Sequence, residues 1–565
     1  MGRAERCVVA LLFAAFAIQG ALSATRDSAT YDETAHIAAG LSYLENFDFR
    51  LNPEHPPLAK MWAAIPLALE PGRQISTTSR NWHNTRQWEI GYEYLNGPTG
   101  TRPRLDPTRR LMPARFAMVV LGLLLLLVVY VWSRELWGPA GAQVTLVFGA
   151  FSPTILAHTR LVTTDVPAAL GISATLWLWW RFTQAPSVPR AAWVGAACGT
   201  ASVMKYASLM LAPVLVVLAL VWVTRGRHSS RGARARWAMV AGVVVVAAVL
   251  ASVWACYGFR YGATHDGAAL PWELTQLEHG RASEAIRFLQ DWRALPEAYL
   301  YGLAYLAGHA TGRDTYLNGV VHPEGSWLFF PETFLLKTTP ALLVAFVWLI
   351  VRGARTRRMD EGVLAVTVPL ALLFAVDVGS AFNIGHRHLV PLYPLLFVLA
   401  GGLVQSAGTL ASGTAVALVL VSQIASSVTT FPQYLSYFNI LAGGSSGGAR
   451  YLSDSNIDWG QDLPRLKTWI DRHQVKSIDL VYFGTADPEA YGIRYRSVYR
   501  VYDFDGDTAR VEPQPGGYLA VSTTLLHGLY VTDPDVAAFL ARVRSTLRPV
   551  GRAGDSILIY RLPRE

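Results

Sequence analysis

The sequence predicts a polytopic α-helical membrane protein of about eleven transmembrane helices, with extracytoplasmic loops and a small C-terminal α/β domain. Three observations carry that prediction. Of 565 residues, 52% are hydrophobic and 16% charged, against about 25% charged in an average soluble protein. The apolar residues fall in long blocks, such as 209–220 and 237–255, and about 20 of them suffice for a helix to cross the hydrocarbon core. After residue 430 the pattern changes to short strand-like runs and a polar helix. A soluble enzyme of this length would form about three or four domains and would need far more surface charge, so that class is excluded.

The apolar runs fall at roughly 7–24, 113–133, 138–157, 165–182, 189–204, 206–224, 237–257, 335–352, 362–379, 388–404 and 407–428. The first run follows Arg3 and Arg6 and ends Ala-Leu-Ser-Ala24. It is long enough to span, and a cleavable signal peptide is its rival reading. Counting the runs alternately, the side that holds Arg3 and Arg6 also receives Arg134, then Arg181 with Arg190. It next receives Arg225, Arg227, Arg231, Arg234 and Arg236, and finally Arg352, Arg355, Arg357 and Arg358. By the positive-inside rule that side is the cytoplasm. Among short loops, Arg160, Lys205 and Arg387 are the exceptions. The other side receives the long loops 25–112 and 258–334 and the tail, which places the N-terminus in the cytoplasm. Arginine-rich usage with only five lysines favours a bacterial inner membrane.

The net charge of +9 is therefore topogenic, and its partner is the lipid bilayer. No basic run is interleaved with aromatics, so nucleic acid is not an expected partner. Cys7, Cys198 and Cys256 have no metal-ligand spacing and imply no disulfide framework. The expected organisation is a transmembrane domain over 1–430 and an extracytoplasmic α/β domain over 431–565. The latter has strands near 478–483, 518–522 and 556–560 and a helix near 462–473. The glycine-rich stretch 442–448 reads as a flexible approach to it.

Ionisable residues beside membrane helices are costly and point to function. Here they gather on one side: Asp32, Glu33, Glu54, His55, Lys60, Asp165, Lys205, His322, Lys337, Asp377, and His386-Arg387-His388. Acids suit deprotonation of an incoming hydroxyl or amine. Compact lysine ammonium groups, in a chain that otherwise uses arginine, suit an anion such as a lipid phosphate. The plain alternatives are helix N-terminal acids for Asp32, Glu33 and Asp165, a helix boundary at Lys205, and snorkelling for Lys60 and Lys337.

Six motifs run in a fixed order: Tyr31-Asp32-Glu33-Thr34; Glu54-His55-Pro56-Pro57-Leu58-Ala59-Lys60; Thr163-Thr164-Asp165; Met204-Lys205-Tyr206; His322 before Trp327-Leu-Phe-Phe-Pro331; and Arg387-His-Leu-Val-Pro-Leu-Tyr-Pro394. This order resembles glycosyltransferase family 39, which includes protein O-mannosyltransferases and lipid A aminoarabinose transferases, over about residues 1–430. The resemblance implies a GT-C-type fold and an inverting transfer of sugar from a polyprenyl-phosphate donor to an extracytoplasmic protein, lipid or glycan acceptor. It implies Asp32 as the base, with Glu33 and Asp165 beside it as catalytic residues. Lys60, Lys205, Arg387, His388 and Lys337 would hold the donor and its phosphate. Glu54 and His322 would hold a divalent metal ion, with His279 or His309 as substitutes for His322. His55 stands where relatives have lysine. The tail motif Asp454-Ser-Asn-Ile-Asp-Trp-Gly-Gln-Asp462 resembles extensions of bacterial members and implies no activity. The rival functions are a transporter or flippase of lipid-linked sugar and a non-catalytic component of envelope-glycan assembly.

Overall fold

The computed structural model describes residues 2–70, 74–227, 229–277, 280–309, 312–356, 360–502, 504 and 512–564. His279, Arg357 and Arg358 lie outside them. The chain is a mostly helical, multi-pass membrane protein with a small sheet near its C-terminal end. Among the described residues six helices are long and apolar enough to cross a membrane: Arg3–Ala24, Thr108–Ala150, Tyr206–Arg225, Arg231–Cys256, Glu361–Val378 and Leu410–Thr430. Phe329–Lys337 and Pro340–Gly353, bent by 116°, make a seventh if taken as one span.

All eleven apolar runs are helical, and the others are short, broken or less apolar. The run 138–157 shows why. Gly138 takes φ 73° ahead of Pro139, kinking the 43-residue helix Thr108–Ala150; proline offers no N–H to continue the ladder. The run then ends in a separate helix, Pro153–Thr159, whose first turn is capped by Ser152 Oγ accepting the Ile155 N–H at 3.3 Å.

The first helix is wound into the bundle. Phe16 is buried against Thr108–Ala150 beside Gly122. Gln19 Oε1 accepts from Ser427 Oγ (2.8 Å) and Tyr434 OH (3.0 Å). These contacts join the first and last apolar helices.

Three shorter helices from the 25–112 loop position the candidate site: Tyr31–Glu45, Leu58–Ala68 and Gln87–Asn96. They lie so close that two glycines are required. A Cβ on Gly40 would sit 2.2 Å from the Lys60 carbonyl oxygen, and one on Gly91 would sit 2.1 Å from that of Thr34. Neither obstacle is a side chain that can turn away.

Beyond Thr430, a five-stranded sheet runs in the order Tyr495–Arg500, Ile478–Tyr482, Tyr518–Ser522, Ile557–Arg561, Gly551–Ala553. The first three strands are parallel and the last two pairings antiparallel. Ile478–Tyr482 is buried on both faces, as its unbroken apolar character (Asp479 apart) requires. Helices Leu463–Arg472 and Pro534–Thr546 accompany the sheet. Strands Tyr495–Arg500 and Gly551–Ala553 had no sequence signal.

The stretch 442–448 corrects an expectation. It is a tight, packed turn rather than a flexible approach. Gly443 and Gly444 take φ 76° and 70°. A Cβ on Gly447 would meet the Ala442 carbonyl at 2.0 Å, and one on Gly448 the Phe438 ring at 2.2 Å. These glycines serve close packing.

Gly91→Ala is expected to destabilise the protein by about 1–3 kcal/mol through overpacking. Thermal unfolding of the detergent-solubilised protein checks this. An unchanged midpoint would show that the Thr34 backbone yields freely.

Candidate functional site

The site is built at the start of the Tyr31–Glu45 helix. Thr30 and Glu33 form a capping box: Glu33 Oε2 accepts from the Thr30 N–H at 2.8 Å and from its hydroxyl at 3.0 Å. Arg115 grips the same carboxylate with Nε at 2.8 Å and Nη2 at 2.6 Å, and the Val162 N–H adds a bond of 2.9 Å. Glu33 is fully buried and accepts from five donors. Every contact of this carboxylate, expected to be catalytic, is here to a protein group. Asp27, six residues upstream and ahead of the helix, pairs with Arg160 (2.5 Å) and Arg465 (2.8 Å), and Arg465 also reaches Asp462 (2.5 Å). Burial alone would raise the pKa of both acids. The facing arginines outweigh it and hold Asp27 and Glu33 below the usual carboxylate range.

Asp32 points away from this network and pairs with Arg387, Oδ2 to Nη1, at 2.5 Å; the side chains keep 16% and 12% exposure. Lys205 pairs with Asp165 at 2.6 Å. The charges of Asp32, Asp165 and Asp454 all act on Arg387 and raise its pKa against the effect of burial. Three buried atoms in this group have no hydrogen-bond partner among the described residues: Arg387 Nε, Asp165 Oδ2 and His388 Nε2. Two donor-bearing rings or cations and one acceptor are thus free to meet a ligand.

His36 and His55 stack edge to face at 5.4 Å on the same side. Burial lowers both pKa values, so the rings are neutral near pH 7. The His36 Nδ1–H donates to the Val162 carbonyl at 2.8 Å.

Two of the expected phosphate ligands, Lys60 and Lys337, are bonded to protein groups. Lys60 is buried, and its Nζ contacts Tyr43 OH (2.9 Å), the Asn52 carbonyl and Oδ1 (2.8 Å each) and the His55 carbonyl (2.6 Å). It ties the 51–55 turn to its helix and has no donor left for a ligand. Lys337 is likewise buried, donating to the carbonyls of Leu435 (2.9 Å) and Asn456 over the face of Phe438. It fastens the bundle to the tail.

The expected metal ligands are Glu54 and His322. Glu54 Oε1 and Oε2 accept from Gln87 (2.7 Å) and Asn52 (2.8 Å) amides. His322 lies in a hairpin, Thr315–Leu317 with Val320–His322. Among the described residues no group of three or more His, Cys, Asp or Glu side chains is placed to hold a metal ion.

The tail motif enters the site, which the sequence reading missed. The Tyr31 N–H donates to the Trp459 carbonyl (3.0 Å) and the Ser28 N–H to that of Gln461 (3.0 Å). Trp459 also lies against the Arg387 guanidinium. The His386 N–H donates to Asn456 Oδ1 (2.8 Å), and Ser455 Oγ to the Ile384 carbonyl (2.9 Å). Asp454 accepts from Tyr530 OH at 2.5 Å, and burial raises its pKa. His158, buried next to Trp459, was missed too. The polar run Asp454–Asp462 between apolar and strand-like segments was the available signal.

The family model described as dolichyl-phosphate-mannose-protein mannosyltransferase matches residues 108–255. The chain resembles glycosyltransferase family 39. No curated protein matches it significantly. Solved structures similar to this family-39-like chain include ArnT from Cupriavidus metallidurans in the apo state, at 16% identity over 99% of this chain and 98% of that one, with a TM-score of 0.44. ArnT bound to undecaprenyl phosphate gives 15%, 98% and 97%, with a TM-score of 0.47. The Pmt1-Pmt2 complex of S. cerevisiae bound to its sugar donor gives 16% identity over 49% of this chain and 36% of that one, with a TM-score of 0.36.

Because Asp27 and Glu33 have depressed pKa values, their contribution to stability is present above about pH 4, the unfolded range. It is lost as pH falls through the folded values. Glu33→Gln is expected to cost about 3–5 kcal/mol at pH 7, because it strands the Arg115 charge, and to flatten the acid limb of the stability–pH profile. Unfolding midpoints between pH 3 and 7 check this; parallel profiles would remove Glu33 as the source.

Proposed function

We propose that the chain is an integral membrane glycosyltransferase that moves a sugar from a polyprenyl-phosphate donor to an acceptor hydroxyl or amine, with inversion. The observation that carries this reading is the pair of adjacent ion pairs, Asp32–Arg387 and Asp165–Lys205, each partly open and together retaining unpartnered polar atoms. A base, a second acid and two cations are what such a displacement needs.

Asp32 takes the proton of the acceptor as the acceptor oxygen or nitrogen bonds to the anomeric carbon. The bond from that carbon to the phosphate oxygen breaks, and its electron pair leaves with the lipid phosphate. Arg387 and Lys205 stabilise the charge that develops there. In the resting structure Arg387 is held by Asp32. A donor phosphate competes for that guanidinium, and its arrival frees the carboxylate to act as base. Asp165 orients Lys205.

The reading places the N-terminus in the cytoplasm and the site outside it. The arginine clusters of the short loops support this; the three short-loop exceptions are ion-paired in the fold, Arg160 with Asp27, Lys205 with Asp165 and Arg387 with Asp32.

Asp32→Asn is expected to lower kcat by about 10²–10⁴-fold with little change in donor KM, in an assay of purified protein with polyprenyl-phosphate sugars and candidate acceptors. Undiminished transfer would remove Asp32 as base, and translocation of the donor without transfer would replace the enzyme reading with a transporter. For orientation, Arg86→Cys and Ser229→Cys are compared in a cysteine-free background with an impermeant thiol reagent on intact cells. Labelling at 86 and protection at 229 is expected; both on one side would break the topology.

A further inference from the structure

We propose that Trp459, in the segment beyond the last apolar helix, is the positioning residue that sets the Arg387 guanidinium against the Asp32 carboxylate. The proposal rests on the roles given to Asp32 and Arg387 above, and two contacts made by different parts of one residue carry it. The indole ring lies under the guanidinium, with Cζ 4.5 Å from the ring centroid. The backbone carbonyl of the same residue accepts the Tyr31 N–H at 3.0 Å, at the first turn of the helix that presents Asp32. Both members of the ion pair therefore rest on Trp459, although they lie 355 residues apart in the chain.

Trp459 is itself held firmly. It is 2% exposed, and its N–H donates to Gln461 Oε1 at 2.7 Å. The following carbonyl, of Gly460, accepts from Ser28 Oγ (2.7 Å) and Tyr482 OH (2.6 Å), which fixes the turn to the N-terminal loop and to the sheet. Gly460 takes φ 85°, and a Cβ there would sit 2.9 Å from the Gly484 Cα, so glycine is required after the tryptophan.

An aromatic face suits this task. It attracts the guanidinium through its π-electrons and occupies none of the N–H donors, which all lie in the guanidinium plane. Arg387 Nε is buried without a hydrogen-bond partner among the described residues, so no described protein group takes that N–H from an incoming anion. A hydrogen-bonding partner in place of the indole would compete with that anion. Once a phosphate draws Arg387 from Asp32, the ring keeps the cation in register with the base.

The test uses the full-length protein in nanodiscs, with sugar-free undecaprenyl phosphate as a binding probe and donor kinetics alongside. Trp459→Met keeps bulk without a π face, and Trp459→Phe keeps a smaller one; both leave the backbone contact to Tyr31. The Met variant is expected to bind the lipid phosphate about tenfold more weakly and to raise donor KM similarly, with the Phe variant within about threefold of wild type. Wild-type binding by the Met variant overturns the proposal. So does an equal loss in Met and Phe variants accompanied by lower unfolding midpoints, which marks a purely structural residue. Arg387→Lys reads the stack from the other side without altering Trp459, and binding unchanged by that substitution also overturns it. Full transfer by Asp32→Asn would defeat the base assignment alone, because lipid-phosphate binding still decides the part played by Trp459.

Discussion

An ionised carboxylate is tolerable in the interior only with its cations in place, and the structure depends on meeting that condition twice within seven residues. Asp27 and Glu33 lie in the interior with Arg115, Arg160 and Arg465 around them. These groups come from four parts of the chain: the loop after the first helix, the helix Thr108–Ala150, the turn before Asp165, and the tail. The desolvation penalty is several kcal/mol per ion, so a partial assembly would strand a charge. The network therefore couples the docking of the tail to the placement of the Tyr31–Glu45 helix. Asp32, adjacent to Glu33, takes its position and direction from that lock.

Exposure then sorts the charges into two groups. Those that are fully enclosed and fully bonded, Glu33, Arg115, Lys60 and Lys337 among them, hold segments together. Asp32, Arg387 and Lys205 keep some access, and Arg387 and Asp165 each retain a polar atom without a partner among the described residues; under the proposed function these four can exchange a partner for a ligand. The two groups have the same chemistry and are near neighbours. The proposed role of Asp32 as base needs this contrast: the rigid acid beside it fixes geometry, while its own ion pair stays open to competition. The tail belongs to this arrangement, since Trp459 lies against Arg387 and accepts the Tyr31 N–H, while Asn456 and Ser455 bond His386 and Ile384 just before Arg387.

Much of this was legible in the sequence. Apolar length marked the eleven runs that are helical, six of them long and apolar enough among the described residues to cross a membrane, because burying twenty apolar residues in lipid leaves a helix as the only way to satisfy the backbone. The ordered motifs brought Asp32, Asp165, Lys205 and Arg387 into one set, and the structure places them side by side. Glu33, Lys60 and Lys337 looked the same at that level, being charged residues in the same loops and corners. Their partners are mostly backbone carbonyls and distant arginines, which leave no mark on a local pattern. Nor was there a sign that 442–448 would pack tightly. Glycine allows both flexibility and close approach, and only the neighbouring Phe438 ring and Ala442 carbonyl choose between them.

Composition and periodicity by themselves determined that this chain crosses a membrane many times and that its tail is α/β. Those features follow from transfer free energy and backbone hydrogen bonding, which act over neighbouring residues. Which charges are scaffold and which are open was decided only by tertiary structure, as was the entry of the Asp454–Asp462 segment into the site. Desolvation and pairing depend on every group within a few ångströms, and here those groups come from opposite ends of the sequence.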